Sequence, residues 1–277
     1  MNRILQLGSY RFPSHKTLVM GIVNVTPDSF SDGGRYNTIE QAVLHAQKLV
    51  AEGADILDIG GESTRPGATM VSLEKELDRV VPVIEAISRE VDAPISIDTY
   101  KAKVGEEAIK AGAHLLNDIW GGKKDPDMVR VAAKTGVPIV LMQNREKAEY
   151  RNLIADMQTD LLESISIAKS AGVTDEQIIL DPGIGFAKSY EDNLLVMRKL
   201  EAFTTMGYPV LLGTSRKSLI ARTLELPTDE RVEGTAATVA LGITKGCQIV
   251  RVHDVKEIAR VCKMMDAMLY RKHPSGE

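Results

Sequence analysis

The chain has 277 residues, 44% of them hydrophobic and 26% charged, with a formal net charge of −4. That length suits one α/β domain with a large core, and these ordinary fractions exclude a disordered chain or a collagen-like repeat. The mildly acidic balance gives no general pull on nucleic acid or anionic lipid, so an anionic ligand must be met by a local basic cluster.

In chain order, Leu5–Phe12 reads as a small hairpin. Thr17–Val23 is the first of eight short apolar runs, ends at Asn24, and is followed by helical spacing over Thr38–Glu52. Ala54–Ile59 ends at Gly60 before a helical Ser72–Glu90, and Ile95–Ile97 ends at Asp98 before Lys101–Ala111. His114–Leu116 ends at Asn117 before Asp125–Lys134, and Pro138–Met142 ends at Gln143 before Glu146–Ala171. Ile178–Leu180 ends at Asp181 before Tyr190–Phe203. Pro209–Leu212 ends at Gly213 and precedes two helical pieces, Ser215–Leu226 and Glu230–Lys245. Gln248–Val250 ends at Arg251 before Val255–Tyr270.

Runs that are apolar throughout belong to parallel strands buried on both faces. Eight of them alternating with helices predict an α/β fold, a single (β/α)8 TIM barrel covering residues 1–277. The hairpin would cover its amino-terminal mouth. An open doubly wound sheet has similar strands, but the first run lacks the GxGxxG turn of a dinucleotide site. Two βα loops, Asn24–Gly34 and Gly60–Gly67, exceed the usual length of about 2–6 residues and would lie over the carboxyl face. Phe30 in the first and Thr64 in the second, with the opposite charges of Asp32 and Arg65, make them candidate lids.

In such barrels the strand ends carry the chemistry. A single Asp there is usually a turn former, but Asp98, Asn117 and Asp181 end three separate runs and would converge on one mouth. Their oxygens fit a heterocycle presenting an N–H beside an amino group, with proton abstraction by one carboxylate as the competing use. Thr214–Ser218 and Arg251-Val252-His253 follow the last two runs, where this fold commonly holds phosphate. Arg251 and His253 on alternate positions can clamp phosphoryl oxygens, and Lys217 can reach inward. Arg216 reads instead as the start of a surface helix.

Together, Asn24–Gly34, Gly60–Gly67, Asp98, Asn117-Asp118, Asp181–Phe186, Ser215-Arg216-Lys217-Ser218 and Arg251-Val252-His253 resemble the dihydropteroate synthase family, in order, from about residue 17 to 270. The resemblance implies condensation of 6-hydroxymethyl-7,8-dihydropterin diphosphate with 4-aminobenzoate, a Mg2+ requirement, sensitivity to sulfonamides and a homodimer. It implies that Asp98, Asn117, Asp181 and Lys217 hold the pterin. It sets Arg251, His253 and Asn24 at the diphosphate, with Asn24 also near Mg2+. Phe30, Thr64, Arg65, Pro66, Phe186 and Ser218 would serve the aminobenzoate site and loop closure. Asp98, Lys217, Arg251 and His253 are the candidate catalytic groups, in a dissociative substitution at the pterin methylene.

Two positions depart from the family's pattern. Gln143 stands where many members have histidine and cannot titrate near neutrality, and Ala236 stands where glycine is expected. The alternative reading is a barrel that presents a methylated folate to a corrinoid partner. It would share the pterin end but has no use for a basic diphosphate clamp.

Met1–Tyr10 lacks the apolar core of a signal peptide and no run is long enough to span a membrane, so a cytoplasmic protein is expected. Cys247 and Cys262 show neither CxxC nor CxxH spacing and read as structural thiols. Met264, Met265, Met268 and Leu269 form an apolar stripe that could serve either core packing or a dimer face.

Overall fold

The structure is a computed structural model, and it describes residues 5–26, 34–62 and 70–270. A hairpin of β1 (Leu5–Leu7) and β2 (Tyr10–Phe12) leads into eight strands. These are β3 (Leu18–Asn24), β4 (Ile56–Gly60), β5 (Ile95–Asp98), β6 (Leu115–Asp118), β7 (Ile139–Met142), β8 (Ile178–Asp181), β9 (Leu211–Leu212) and β10 (Ile249–Val252). Between and after them lie α1 (Gly34–Glu52), α2 (Leu73–Glu90), α3 (Ala102–Lys110), α4 (Asp127–Thr135), α5 (Leu153–Ser170), α6 (Tyr190–Arg198) and α7 (Glu201–Thr204). The last three helices are α8 (Ser218–Leu224), α9 (Val232–Thr244) and α10 (Val255–Tyr270).

The strands pair in parallel in the order β8-β7-β6-β5-β4-β3-β10-β9. The two ends meet where Leu180 bridges Val210 and its N–H donates to Pro209 O at 2.8 Å. The (β/α)8 TIM barrel expected from the eight runs is therefore present.

Side chains alternate across each strand, so one set packs under the helices and the other fills the barrel. Leu18, Met20, Ile56, Leu115, Val140, Ile179, Leu211 and Ile249 form the buried inner ring at the amino-terminal end. Leu5 and Leu7 of the hairpin pack onto that ring with partly buried Phe12, closing the bottom as the sequence predicted. Burial of each leucine is worth about 1.5–3 kcal/mol. The apolar floor forces polar chemistry to the other end.

Three details differ from expectation. The helix expected over Glu146–Ala171 begins only at Leu153, where Asn152 caps it by accepting the Ala155 N–H at 3.3 Å. Residues 143–150 instead supply side chains to a polar cluster described below. The single helix expected over Tyr190–Phe203 is two, because the chain leaves the helical conformation at Lys199 (φ −111, ψ 23) to bury Leu200 and Phe203 completely. Third, the second run is not apolar throughout: Asp58 lies inside β4 and is fully buried.

Cys247 and Cys262 are free and buried, and burial pushes both thiols up to about 12, as suits structural residues. No helix among the described residues is long and apolar enough to cross a membrane.

Candidate active site

The carboxyl ends of the strands open into a cavity of about 640 Å³. Asp98, Asn117 and Asp181 line it, as their strand-end positions predicted. Lys217, Ser218, Arg251 and His253 line it as well, with Asn24 and Phe186 also at the wall. Phe30, Thr64, Arg65 and Pro66, together with Asp32, lie outside the described residues.

Strand register explains the convergence. Gly60 of β4 is level with Asp98 of β5, Asp98 with Asn117 of β6, and Met142 of β7 with Asp181 of β8. Neighbours at one level of a parallel sheet point to the same face, so these side chains share the mouth. By the same rule Met142 faces inward and Gln143, one residue on, faces out. The structure thus moves Gln143 away from the mouth and puts Met142 on its wall.

Below the mouth is a buried ionic layer that the sequence reading missed. Arg251 Nε donates to Asp58 Oδ2 at 2.6 Å and its Nη2 to Asp98 Oδ2 at 2.7 Å. Asn117 Nδ2 donates to the same Asp58 oxygen at 3.2 Å, so one carboxylate orients two residues of the mouth. The available signal was position: Asp58 precedes Gly60 by two residues and must share its inward face. Asp58 Oδ1, Ser96 Oγ and Asp98 Oδ1 have no partner among the described residues. Unpaired buried acceptors are costly, so Asp98 keeps one oxygen ready for an incoming donor.

Burial sets the direction for three groups at the mouth. It raises Asp98 to about 7 despite Arg251, and it raises Asp181 despite Lys217 and the Gly183 N–H. It lowers Lys217 to about 8, with Asp181 opposing. Burial acts downward on Arg251 too, but Asp58 and Asp98 outweigh it and hold the guanidinium above its usual range.

Around Asp181 the chain makes a tight turn. Gly183, Gly185 and Ala187 have φ of 66, 85 and 42°. Gly183 is required there: a Cβ would sit 2.0 Å from Gln143 O. Asp181 Oδ1 accepts the Gly183 N–H at 2.7 Å, and Lys217 Nζ donates to Ile184 O at 2.6 Å while lying 4.8 Å from the Phe186 ring centroid. The turn, Phe186 and Lys217 form one unit.

Among the basic groups, Ser215 Oγ accepts the His253 N–H at 3.1 Å and lies 2.9 Å from His253 Nδ1. That contact orients the ring at the cavity wall. Arg216 is not the free surface residue expected: Nε donates to Asp254 Oδ2 at 3.0 Å, Nη2 donates to Oδ1, and the residue lines the cavity. Arg231 and Glu62 also line it and were not foreseen. Arg231 lies at the head of α9, tied by Nη1 to Arg216 O at 2.9 Å, and nothing in the local sequence marks it. Glu62 is held by Lys101, which also pairs with Glu76.

No group of three or more His, Cys, Asp or Glu side chains among the described residues could hold a metal ion. Asn24 offers one amide oxygen at the exposed end of β3. That donor set fits Mg2+, which prefers hard oxygen and commonly keeps waters and substrate phosphate oxygens in its shell.

Comparison with known proteins agrees with this geometry. The model of the family described as pterin binding enzyme matches residues 20–253. The dihydropteroate synthase of Bacillus subtilis is 65% identical over 254 residues, 92% of this chain and 89% of that protein. A structure of the dihydropteroate synthase from Clostridium difficile, in the presence of pteroic acid, superposes with a TM-score of 0.91 at 47% identity, covering 97% of this chain and 100% of that one. That of Xanthomonas albilineans with 4-aminobenzoic acid gives 0.92 at 40% identity, covering 98% and 99%. The chain belongs to the pterin-binding enzymes and, within them, to the dihydropteroate synthases.

Proposed function

We infer that this protein is a dihydropteroate synthase, a transferase condensing 6-hydroxymethyl-7,8-dihydropterin diphosphate with 4-aminobenzoate to give 7,8-dihydropteroate and diphosphate. The observation that carries this reading is one mouth that gathers buried acceptors, Asp98 and Asp181, with buried cations, Lys217 and Arg251. A carrier of methylated folate for a corrinoid partner has no use for the cations, and the relatives are synthases.

Asp98, Asn117 and Asp181 would accept the N–H and amino donors of the pterin, with Lys217 beside the ring. Arg251, His253 and Asn24 would face the diphosphate. Ser218 and Phe186, together with Phe30, Thr64, Arg65 and Pro66 of the two long loops, would serve the aminobenzoate site. Asn24 would help hold Mg2+, which when bound supplies positive charge against the diphosphate oxygens.

The bond from the methylene to diphosphate breaks first and its electron pair leaves with the diphosphate, whose growing charge Arg251 and His253 stabilise. The remaining cation is spread over the pterin, beside the Asp98 carboxylate. The arylamine, neutral at ordinary pH, then attacks the methylene in line, and the proton of the resulting ammonium passes to the released diphosphate or to water. No strong base is needed beforehand.

Met264, Met268 and Leu269 on α10 and Leu241 on α9 are exposed, and these two helices pack together. We read this face as a homodimer contact. The absence of a spanning helix among the described residues and the two free cysteines suit a cytoplasmic enzyme. Sulfonamides, as aminobenzoate mimics, are expected to compete.

Product analysis of purified protein with both substrates tests the reading. Mg2+-dependent dihydropteroate formation, lost in EDTA, is expected. Tight binding of methyltetrahydrofolate with no condensation would favour the carrier instead.

A further inference from the structure

Beneath the Asp181–Phe186 turn, on the side away from the cavity, the Lys188 side chain folds back under its own loop. Its Nζ donates to Gly183 O and Phe186 O, both at 3.0 Å, and to Gln143 Oε1. An ammonium has three donors, and here all are used on fixed acceptors. Gln143 is itself locked, its Nε2 donating to Asp160 Oδ2 at 2.8 Å. Asp160 is gripped by the Arg145 fork, Nε at 2.7 Å and Nη2 at 3.0 Å. Tyr150 adds a hydrogen bond to Ala187 O at 3.0 Å. None of Lys188, Gln143, Asp160 or Tyr150 lines the cavity.

The same turn is held from inside by Lys217, through Ile184 O and the Phe186 ring. Two lysines therefore grip successive carbonyls of one turn from opposite sides. Gly183 and Gly185 within it and Ala187 just after it are at positive φ, and the non-glycine Ala187 keeps that conformation only where its surroundings fix it. Without the outer grip, Gly183 O and Phe186 O would lose their cationic partner, and the turn that seats Lys217 and the Phe186 ring would relax.

We propose that Lys188, oriented by Gln143 and Asp160, is a positioning residue that holds the Asp181–Phe186 turn in its pterin-binding shape. The proposal rests on the pterin-binding reading of the mouth. It also gives Gln143 a task that glutamine performs at any pH, accepting from Lys188 while donating to Asp160. A neutral histidine could do both, but a protonated one has two donors and no acceptor, and sets a positive charge beside Lys188. The groups facing this position are Lys188, Asp160, Arg145 and Tyr150, with Asp181, Asp192 and Lys217 acting at longer range. Burial pushes Lys188 itself down to about 7, with Asp181 opposing, so comparisons belong at matched pH.

The test uses two probes on the whole protein, 6-hydroxymethylpterin and inorganic diphosphate with Mg2+, titrated calorimetrically. At pH 7, Lys188→Met is expected to weaken the pterin at least tenfold while diphosphate stays within threefold. Gln143→His should bind pterin like the unaltered protein at pH 7.5 and at least tenfold more weakly at pH 5.5, each relative to the unaltered protein at that pH. Pterin affinity within threefold in Lys188→Met, or equal loss of both ligands with a lowered melting temperature, would overturn the proposal. If Lys188→Met does not fold, the Gln143→His ratio decides alone, and a flat ratio overturns it. Failure of the synthase reading is separate, since it would appear as absent condensation by the unaltered protein.

Discussion

Asp98 joins recognition to proton binding. Burial raises it to about 7, and Arg251 only partly offsets the shift. A pterin presenting N–H donors requires the ionised carboxylate, so protonation competes with the ligand. Pterin affinity should therefore hold above pH 7 and fall by up to about tenfold per unit below it, as one bound proton must be displaced. Calorimetry of 6-hydroxymethylpterin from pH 5.5 to 8 checks this, and Asp98→Asn should lose the acid limb along with most of the affinity. Asp98 was legible in the sequence because it ends an apolar run, as were Asn117 and Asp181. Asp58 was not, because it sits within a run and its partner Arg251 is far along the chain. Gln143 directly follows β7, and in a strand one residue is the difference between the mouth and the helix layer.

At the scale of elements, the hairpin β1–β2 acts as the floor of the barrel. Leu7 is fully buried against the inner ring, so Leu7→Ala should cost about 2–5 kcal/mol through lost burial and a cavity. Urea unfolding would measure the loss, and turnover per folded molecule should be unchanged because the floor lies at the opposite end from the mouth. The eight barrel strands were readable because buried strands leave short, mostly apolar runs, broken in β4 by Asp58 and in β5 by Ser96. The late start of α5 was not, since helical spacing continues through residues 146–152 while Arg145 and Tyr150 are committed to Asp160 and Ala187. The break between α6 and α7 was hidden for a similar reason. Leu200 and Phe203 both fit a helical pattern, and only the packing around them turns the chain.

For the whole molecule, the barrel divides its interior into an apolar half below and a charged half above, and only the upper half meets solvent. The exposed methionines of α10 give a prediction at this scale. The 30.2 kDa chain should travel as a dimer, and Met264→Glu with Met268→Glu should make it a monomer by light scattering without unfolding it. A stripe that merely covers core would leave the mass unaltered.

The central claim is that one set of mouth residues reads the pterin and another reads the diphosphate. Titrating 6-hydroxymethylpterin and Mg2+-diphosphate separately into Asp181→Asn and His253→Gln tests it directly. Asp181→Asn should lose pterin binding and keep diphosphate, and His253→Gln should do the reverse. Equal losses of both ligands in both variants, or losses in the crossed pattern, would contradict the account.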